Sequence, residues 1–134
     1  MEKLHKDKFI SYEIDNEKGI LFVDWKPATE DMEEDEFKEE ISYQAKYAEE
    51  YHPTKFLVNS TKLQFSITPQ LQDWAQKTVF TRLIEAGVRK TAFVMPEDLV
   101  AQLSVEQAME EEEGLQFVSR YFDNDKEALE WLEK

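Results

Sequence analysis

Short apolar segments that alternate with helical patterns are the feature that most constrains the fold of this chain. In chain order the segments read KFISYEI, GILFVDW, KFLVN, KTAFVM and LQFVSRYF, and each is rich in β-branched or aromatic residues, as strands are. The turn DNEKG joins the first two as a hairpin that ends on Gly19. Because strands that alternate with helices form βαβ units, the sheet should be mostly parallel. The sequence therefore predicts an α/β fold of order ββαβαβαβα, with five strands and an antiparallel N-terminal edge strand.

The length and composition of the chain fit one folded domain. A chain of 134 residues, of which 41% are hydrophobic, has enough material for one core. No linker, repeat or low-complexity segment divides it. Residues 1–134 are therefore predicted to form a single domain.

Charge and cysteine content exclude several classes of function. The chain has 30 acidic and 16 basic residues, a net charge of −14 that repels nucleic acid and anionic lipid headgroups. The absence of cysteine excludes disulfides, thiolate nucleophiles and zinc–sulfur sites. No apolar segment approaches the ~20 residues of a membrane span, and the start of the chain lacks the apolar stretch of a signal peptide. We therefore expect a cytoplasmic protein with no nucleic-acid partner and no membrane insertion.

Three segments carry a resemblance to a known family. They read KFLVNSTKLQFSITPQL, RLIEAGVRKTAFVM and RYFDNDKEALEWL, and the last has an aromatic, an Asp and then Glu-Ala-x-x-Trp-Leu. Together they resemble the SpoIIAA-like (STAS-type) domain of bacterial anti-sigma factor antagonists and their stand-alone relatives. The resemblance covers nearly the whole chain through loose hydrophobic patterns, and it is closer to the divergent STAS and lipid-transfer (CRAL-TRIO)-like members. It implies a non-enzymatic regulatory domain that acts through protein contacts.

The loop after KFLVN is where such a domain carries its phosphorylatable serine, in an Asp-Ser-Ser-Gly-like setting. Residues 66–70 of this chain read SITPQ, without the acid before the hydroxyls or the glycine after them. A phosphate on Ser66 or Thr68 at a helix N-terminus would meet free N–H groups. Alternatively, Thr68 is an N-cap and Pro69 the first helical residue, because both are preferred there on geometry alone. The predicted switch or binding loop comprises Asn59, Ser60, Thr61, Ser66 and Thr68.

The second predicted helix, from Pro69 to Gly87, carries more apolar surface than one face of a sheet requires. Either a neighbouring helix covers the excess, or the excess contacts a partner or a second copy, with Trp74 and Phe80 as anchors and Arg82 at the rim. Tyr43 and Tyr47 lie beside the stripe that the first helix is predicted to bury, and they could join such a surface. The residues of that stripe are Phe37, Ile41, Ala45, Ala48 and Tyr51. The predicted interface comprises Trp74, Phe80, Arg82, Ile84, Tyr43 and Tyr47.

The sequence shows no catalytic or metal-binding constellation. Its three glycines have turn or cap positions, so neither a P-loop nor a dinucleotide fingerprint can be assembled. His5 lies near the start of the chain and His52 precedes a proline, so neither has an evident nucleophile partner. The acidic run 110–113 fits either a weak cation or docking site or a solvated helix end, since charge runs are usually solvated. We predict no catalytic residue, no cofactor and no metal ion.

Three functions therefore remain open. The preferred one is a non-enzymatic interaction domain that self-associates, as a homodimer, through its second helix. The second is a binder of an apolar or lipid-like ligand, which the aromatic residues and the lipid-transfer-like resemblance motivate. Those aromatic residues are Phe56, Phe65, Trp74, Phe93 and Phe117. The third is a phosphorylation-switched anti-sigma factor antagonist, and an enzyme is least favoured.

Overall fold

A computed structural model describes residues 1–96 and 118–134 of the chain. The helical pieces predicted between KTAFVM and the last strand lie outside these residues. So do Ser104 and Gln107, whose spacing predicts a capping box, and also the acidic run 110–113 and Phe117.

The described strands form one mixed sheet whose order follows the chain, β1-β2-β3-β4-β5-β6. The strands are β1 Glu2–Lys6, β2 Ile10–Asp15, β3 Ile20–Trp25, β4 Lys55–Asn59, β5 Lys90–Val94 and β6 Val118–Phe122. Pairing is antiparallel from β1 to β3 and parallel from β3 to β6. The α/β class and the parallel pairing of the later strands are confirmed. The predicted strand count was wrong, because the sheet has six strands and two of them precede the parallel part.

The strand that the sequence did not reveal is β1. Its residues, EKLHK, include one aliphatic side chain, so the strand lacks the apolar alternation by which a strand is recognised. A β-bulge interrupts its pairing with β2: Lys3 lies opposite Glu13 and His5 opposite Tyr12, which leaves Leu4 as the extra residue. As a result Leu4 packs against the core and His5 approaches the Tyr12 ring, while Lys3 remains exposed.

The helices begin and end close to where the sequence places them. They are α1 Glu34–Tyr51, α2 Pro69–Ala75, α3 Thr81–Ala86 and α4 Asp125–Leu132. A 3-10 helix, Pro27–Asp31, precedes α1, and a π-helical turn, Gln76–Phe80, joins α2 to α3. Two residues in the left-handed region end the longer segments, His52 (φ 53°) after α1 and Gly87 (φ 109°) after α3. At the start of α4, the Asn124 carboxamide oxygen accepts a bond from the Glu127 amide at 2.9 Å.

The helices cover the two faces of the sheet unequally. The parallel strands are added in one direction, and right-handed crossovers then place their connecting helices on the same face. Accordingly α1, α2 and α3 pack with β2, β3 and β4 in the larger hydrophobic cluster. Helix α4 lies on the opposite face, where Ala128 and Leu132 pack against Ile20, Leu57 and Ala92. None of the helices in the described part of the chain has the length and apolar composition needed to cross a membrane.

The start of α2 gives a first testable prediction. The Thr68 hydroxyl accepts a bond from the Leu71 amide at 3.2 Å, as an N-cap does. We therefore expect Thr68→Ala to lower the free energy of unfolding by ~1 kcal/mol, because an amide of the first turn loses its partner. Urea denaturation measures this loss. Thr68→Ser should retain most of the stability, and Thr78→Ala, at an exposed site on the same helical segment, should change it by less than ~0.5 kcal/mol. Equal losses in all three variants would contradict the capping role.

Candidate functional site

The predicted loop, residues 60–68, lies at the carboxyl edge of the sheet, where α/β proteins commonly place binding residues. The Asn59 carboxamide oxygen accepts bonds from the Thr61 amide at 3.0 Å and the Thr61 hydroxyl at 2.6 Å. The Asn59 nitrogen donates to the Asp125 carboxylate at 3.2 Å, and the Ser60 amide donates to the Val94 carbonyl at 2.7 Å. The first residues of the loop are therefore tied to β4 and β5, and Asn59 also ties this end of β4 to α4.

The middle of the same loop is anchored in the core. Leu63 and Phe65 pack against the larger hydrophobic cluster, and the Phe65 ring stacks on Phe37 with their centroids 5.1 Å apart. Between them, the Gln64 amide donates to the Thr29 hydroxyl at 2.8 Å. After this anchor Ser66 and Ile67 are exposed to solvent. The loop thus holds its exposed residues between fixed points.

A shallow depression of about 360 Å³ adjoins the start of this loop. Asp24, Asn59, Lys62 and Asp125 line its polar end. Burial raises the pKa of the Asp24 carboxyl, which Lys62 opposes and the negative charge of Asp125 reinforces. These groups suit a small polar ligand or a charged side chain of a partner.

The predicted interface residues of the second helical segment are half-buried. Trp74 and Phe80 pack against the core, and the Lys38 ammonium lies 5.3 Å from the centre of the Trp74 ring. The Arg82 guanidinium binds both carboxylate oxygens of Glu49, at 2.9 and 2.6 Å. Ile84 is also half-buried. All four side chains are therefore partly covered within the chain, and their role in an interface stays a prediction.

The two tyrosines predicted to extend this interface lie under β1 instead. Tyr47 is 7% exposed, packs edge-on against Tyr12 and directs its hydroxyl to the Leu4 carbonyl at 3.4 Å. Tyr43 is half-buried and stacks on the His5 ring. The reason for this location is the additional strand, which covers the flank of α1 that a five-stranded sheet would leave open.

A second cluster of polar side chains lies between the β1–β2 turn and α1. One ligand atom from each of His5, Asp7 and Glu40 lies within 4.8 Å of the other two. The His5 Nε2 atom is 2.7 Å from Asp7 Oδ2, and the His5 ring stacks on Tyr43 with the centroids 4.5 Å apart. The other Asp7 oxygen, Oδ1, accepts the amides of Phe9 and Ile10 at 2.8 and 3.1 Å. Asp7 therefore shapes the turn with Oδ1 and contacts His5 in the cluster with Oδ2.

The Glu40 carboxyl is the least exposed acid of this cluster. Glu40 is 5% exposed, and its Oε2 atom has no hydrogen-bond donor in the described part of the chain. Burial, the hydrogen bond with Asp7 and the negative charge of Asp7 together raise the pKa of Glu40 from 4.5 to about 8. For Asp7, burial acts in the same upward direction, but bonds from Glu40, His5 and two amides outweigh it and lower the pKa. The raised pKa favours the protonated form of Glu40, which can donate to the Asp7 carboxylate, whereas a bound cation would favour the ionised form.

The position of Glu40 in the sequence is itself a signal for this cluster. Glu40 and Gln44, which are 5% and 6% exposed, fall inside the buried stripe of α1. A charged residue at a core-facing helical position needs a partner, because an unpaired buried charge is costly. The partners His5 and Asp7 lie more than 30 residues earlier on the unpredicted strand and its turn, so the pairing was not visible.

Comparisons with known proteins add no identity to these observations. No model of a known protein family matches the sequence, and neither a curated protein nor a solved structure matches it. The SpoIIAA-like resemblance thus stays a prediction that rests on hydrophobic patterns and element order.

Proposed function

We propose that the chain is a non-enzymatic regulatory domain of the SpoIIAA-like type that binds a protein partner through loop 60–68 and the first turn of α2. The observation that carries this proposal is the exposure of Ile67, 36%, in a loop fixed on both sides. Among the described residues, Ile67 and Met1 are the large apolar side chains that remain exposed. An apolar side chain on a fixed loop loses little conformational entropy when a partner covers it.

The charge of the chain indicates the chemistry of the partner. A net charge of −14 attracts a basic surface and accelerates its association. Near Ile67 the exposed polar residues Thr61, Gln64 and Ser66 supply hydrogen-bonding groups for a rim around the apolar contact. We infer a partner with a basic surface and an apolar pocket for the isoleucine.

Affinity capture with the immobilised full chain tests this proposal. We expect a basic protein to be retained by the wild type, to be lost with Ile67→Asp, and to elute as the salt concentration rises. Thr78→Asp is the matched control, because it adds the same charge at an exposed position on the π-helical turn. Circular dichroism confirms that both variants are folded. Equal retention by Ile67→Asp and the wild type would reject the loop as the contact.

Self-association through α2 and α3 is the alternative form of this function. It has weaker support, since Trp74, Phe80 and Ile84 are half-buried and two copies of a chain with a charge of −14 repel each other. Sedimentation velocity at increasing protein and salt concentration distinguishes self-association from the binding of a basic partner. A dimer that Phe80→Ala disrupts and Ile67→Asp leaves intact would favour self-association over a basic partner.

A further inference from the structure

The unsatisfied Glu40 oxygen indicates that the cluster of His5, Asp7 and Glu40 is built for a ligand. A buried oxygen without a donor costs free energy, and the described groups around Glu40 Oε2 supply no N–H. The only neighbouring acid in the cluster, Asp7, also offers an oxygen rather than a donor. A proton, a water molecule or a cation could be the missing partner, and the imidazole and second carboxylate beside this oxygen suit a cation.

The donor set indicates which cation fits. One imidazole nitrogen with two carboxylate oxygens suits first-row transition ions such as Zn²⁺, whereas Mg²⁺ and Ca²⁺ prefer oxygen ligands alone. We propose that His5 Nε2, Asp7 Oδ2 and Glu40 Oε2 bind one divalent transition-metal ion, for which Zn²⁺ is the best fit. None of these three residues belongs to the loop 60–68, so the metal site can be tested independently of the proposed function.

The spacing of the three atoms is compatible with one ion after small side-chain movements. Two ligands that each lie ~2.0–2.1 Å from a tetrahedral zinc ion are roughly 3.3 Å apart. In this cluster His5 Nε2 and Asp7 Oδ2 are 2.7 Å apart, and one ligand atom from each of the three residues lies within 4.8 Å of the other two. An ion would therefore separate His5 from Asp7 slightly and draw Glu40 towards them.

The surroundings hold the three ligands in place. The amides of Phe9 and Ile10 fix Asp7 Oδ1, so that Oδ2 points to His5 Nε2, where an ion could replace their direct contact. Stacking on Tyr43 orients the His5 ring, and the Tyr12 hydroxyl binds the Glu40 carbonyl at 2.7 Å. Such outer contacts orient ligands and typically change metal affinity by ~10–100-fold.

The cluster is also accessible and lies in a negative environment. A cleft of about 210 Å³ reaches two of the three proposed ligands, Asp7 and Glu40, and its other charged lining residues are Glu36, Glu39 and Lys8. These acids attract a cation, and the cleft leaves room for a water molecule as the fourth ligand. The nearby Lys26 ammonium binds the Asp7 carbonyl at 2.7 Å, not its carboxylate. The ion thus has a path of entry and a free coordination position.

Calorimetric titration of the chelator-treated full chain with ZnCl₂ tests this site. We expect saturable binding of one ion per chain, and a loss of affinity of ~10-fold or more in His5→Gln and in Glu40→Gln. The chain has two histidines, so His52→Asn is a matched control at an exposed residue whose positive φ asparagine accepts. Glu50→Gln, an exposed acid on the same helix, controls for the loss of negative charge. Binding that does not saturate, or that the ligand variants leave unchanged, would overturn the proposal and leave a proton as the partner of Glu40.

A second measurement needs no variant and so does not depend on variant folding. In the wild type, Zn²⁺ should shift the imidazole NMR signals of His5 and leave those of His52 unchanged. Mg²⁺ and Ca²⁺ should produce no such shift at the same concentration. Equal shifts of both histidines, or equal binding of Ca²⁺ and Zn²⁺, would show an unspecific acidic surface in place of a nitrogen-containing site.

Discussion

The stability of the metal-free protein should fall as the pH rises from about 4.5 to about 8, and Glu40→Gln should remove most of this fall. The ordinary pKa of Glu40 is 4.5, and burial beside Asp7 raises it to about 8 in the folded chain. Between these values the folded state keeps a proton that the unfolded state has lost, so that each rise in pH favours unfolding. Above about 8 both states are ionised, and this contribution stays constant.

The groups that face Glu40 explain why glutamine should be tolerated there. Asp7, Glu36 and Glu39 all favour the neutral form, so an ionised Glu40 adds a negative charge to an acidic site. Glutamine has the same shape, carries no charge and can donate its amide to Asp7. We therefore expect Glu40→Gln to equal the wild type near pH 5 and to be the more stable protein near pH 9.

Urea denaturation across this pH range, with a chelator present, measures both curves. Asp7 has the opposite effect, because its pKa is lowered in the folded chain and its ionised form therefore stabilises that chain. This stability is lost as the pH falls below 3.8, the ordinary pKa of Asp7, which lies outside this pH range. Glu50→Gln should run parallel to the wild type. Parallel curves for Glu40→Gln and the wild type would mean that Glu40 is ionised in the folded chain. We expect Glu40→Gln to be more stable than the wild type at high pH and, in the zinc titration, to bind the ion more weakly.

The largest loss of stability is expected for Phe56→Ala. Phe56 is 0% exposed on the central strand β4, where it lies between Leu21 of β3 and Thr91 of β5. Truncation of a buried phenylalanine removes its transfer free energy and leaves a cavity, which costs ~3–5 kcal/mol. The whole domain is stable by only ~5–15 kcal/mol, so the variant should be close to unfolding at room temperature.

Urea midpoints of Phe56→Ala and Phe65→Ala provide the comparison. Phe65 is half-buried, and its main ring contact is the stack on Phe37. Phe65→Ala should therefore lower the free energy of unfolding by less than half as much as Phe56→Ala. It should also release the loop that carries Ile67. Similar losses at the two positions would indicate that the loop, as much as the central strand, holds the core together.

The parts of this fold that could be predicted are those that are most deeply buried. KFLVN and GILFVDW are near-continuous apolar runs because β3 and β4 contribute to a hydrophobic cluster on each face of the sheet, and such runs are visible without knowledge of their neighbours. The boundaries at Thr68, Gly87 and Asn124 could also be predicted, since capping depends on local geometry.

The parts that could not be predicted depend on contacts between distant segments. Strand β1 is recognisable only through its pairing with β2 and its cover over Tyr43 and Tyr47. The site at Glu40 depends in turn on that strand. By contrast, the loop 60–68 was located from the element order, but its anchoring by Phe65 and Thr29 required the structure.

Strand β1 also has a consequence for aggregation. It forms one outer edge of the sheet, and an outer edge offers backbone groups to which another chain can add a strand. Three of its five residues, Glu2, Lys3 and Lys6, are charged and exposed, and the bulge at Leu4 breaks the regular spacing of its backbone groups. A foreign strand would have to pair with an irregular edge beside charged side chains. The strand that is hardest to recognise in the sequence therefore also protects the apolar strands behind it from sheet extension.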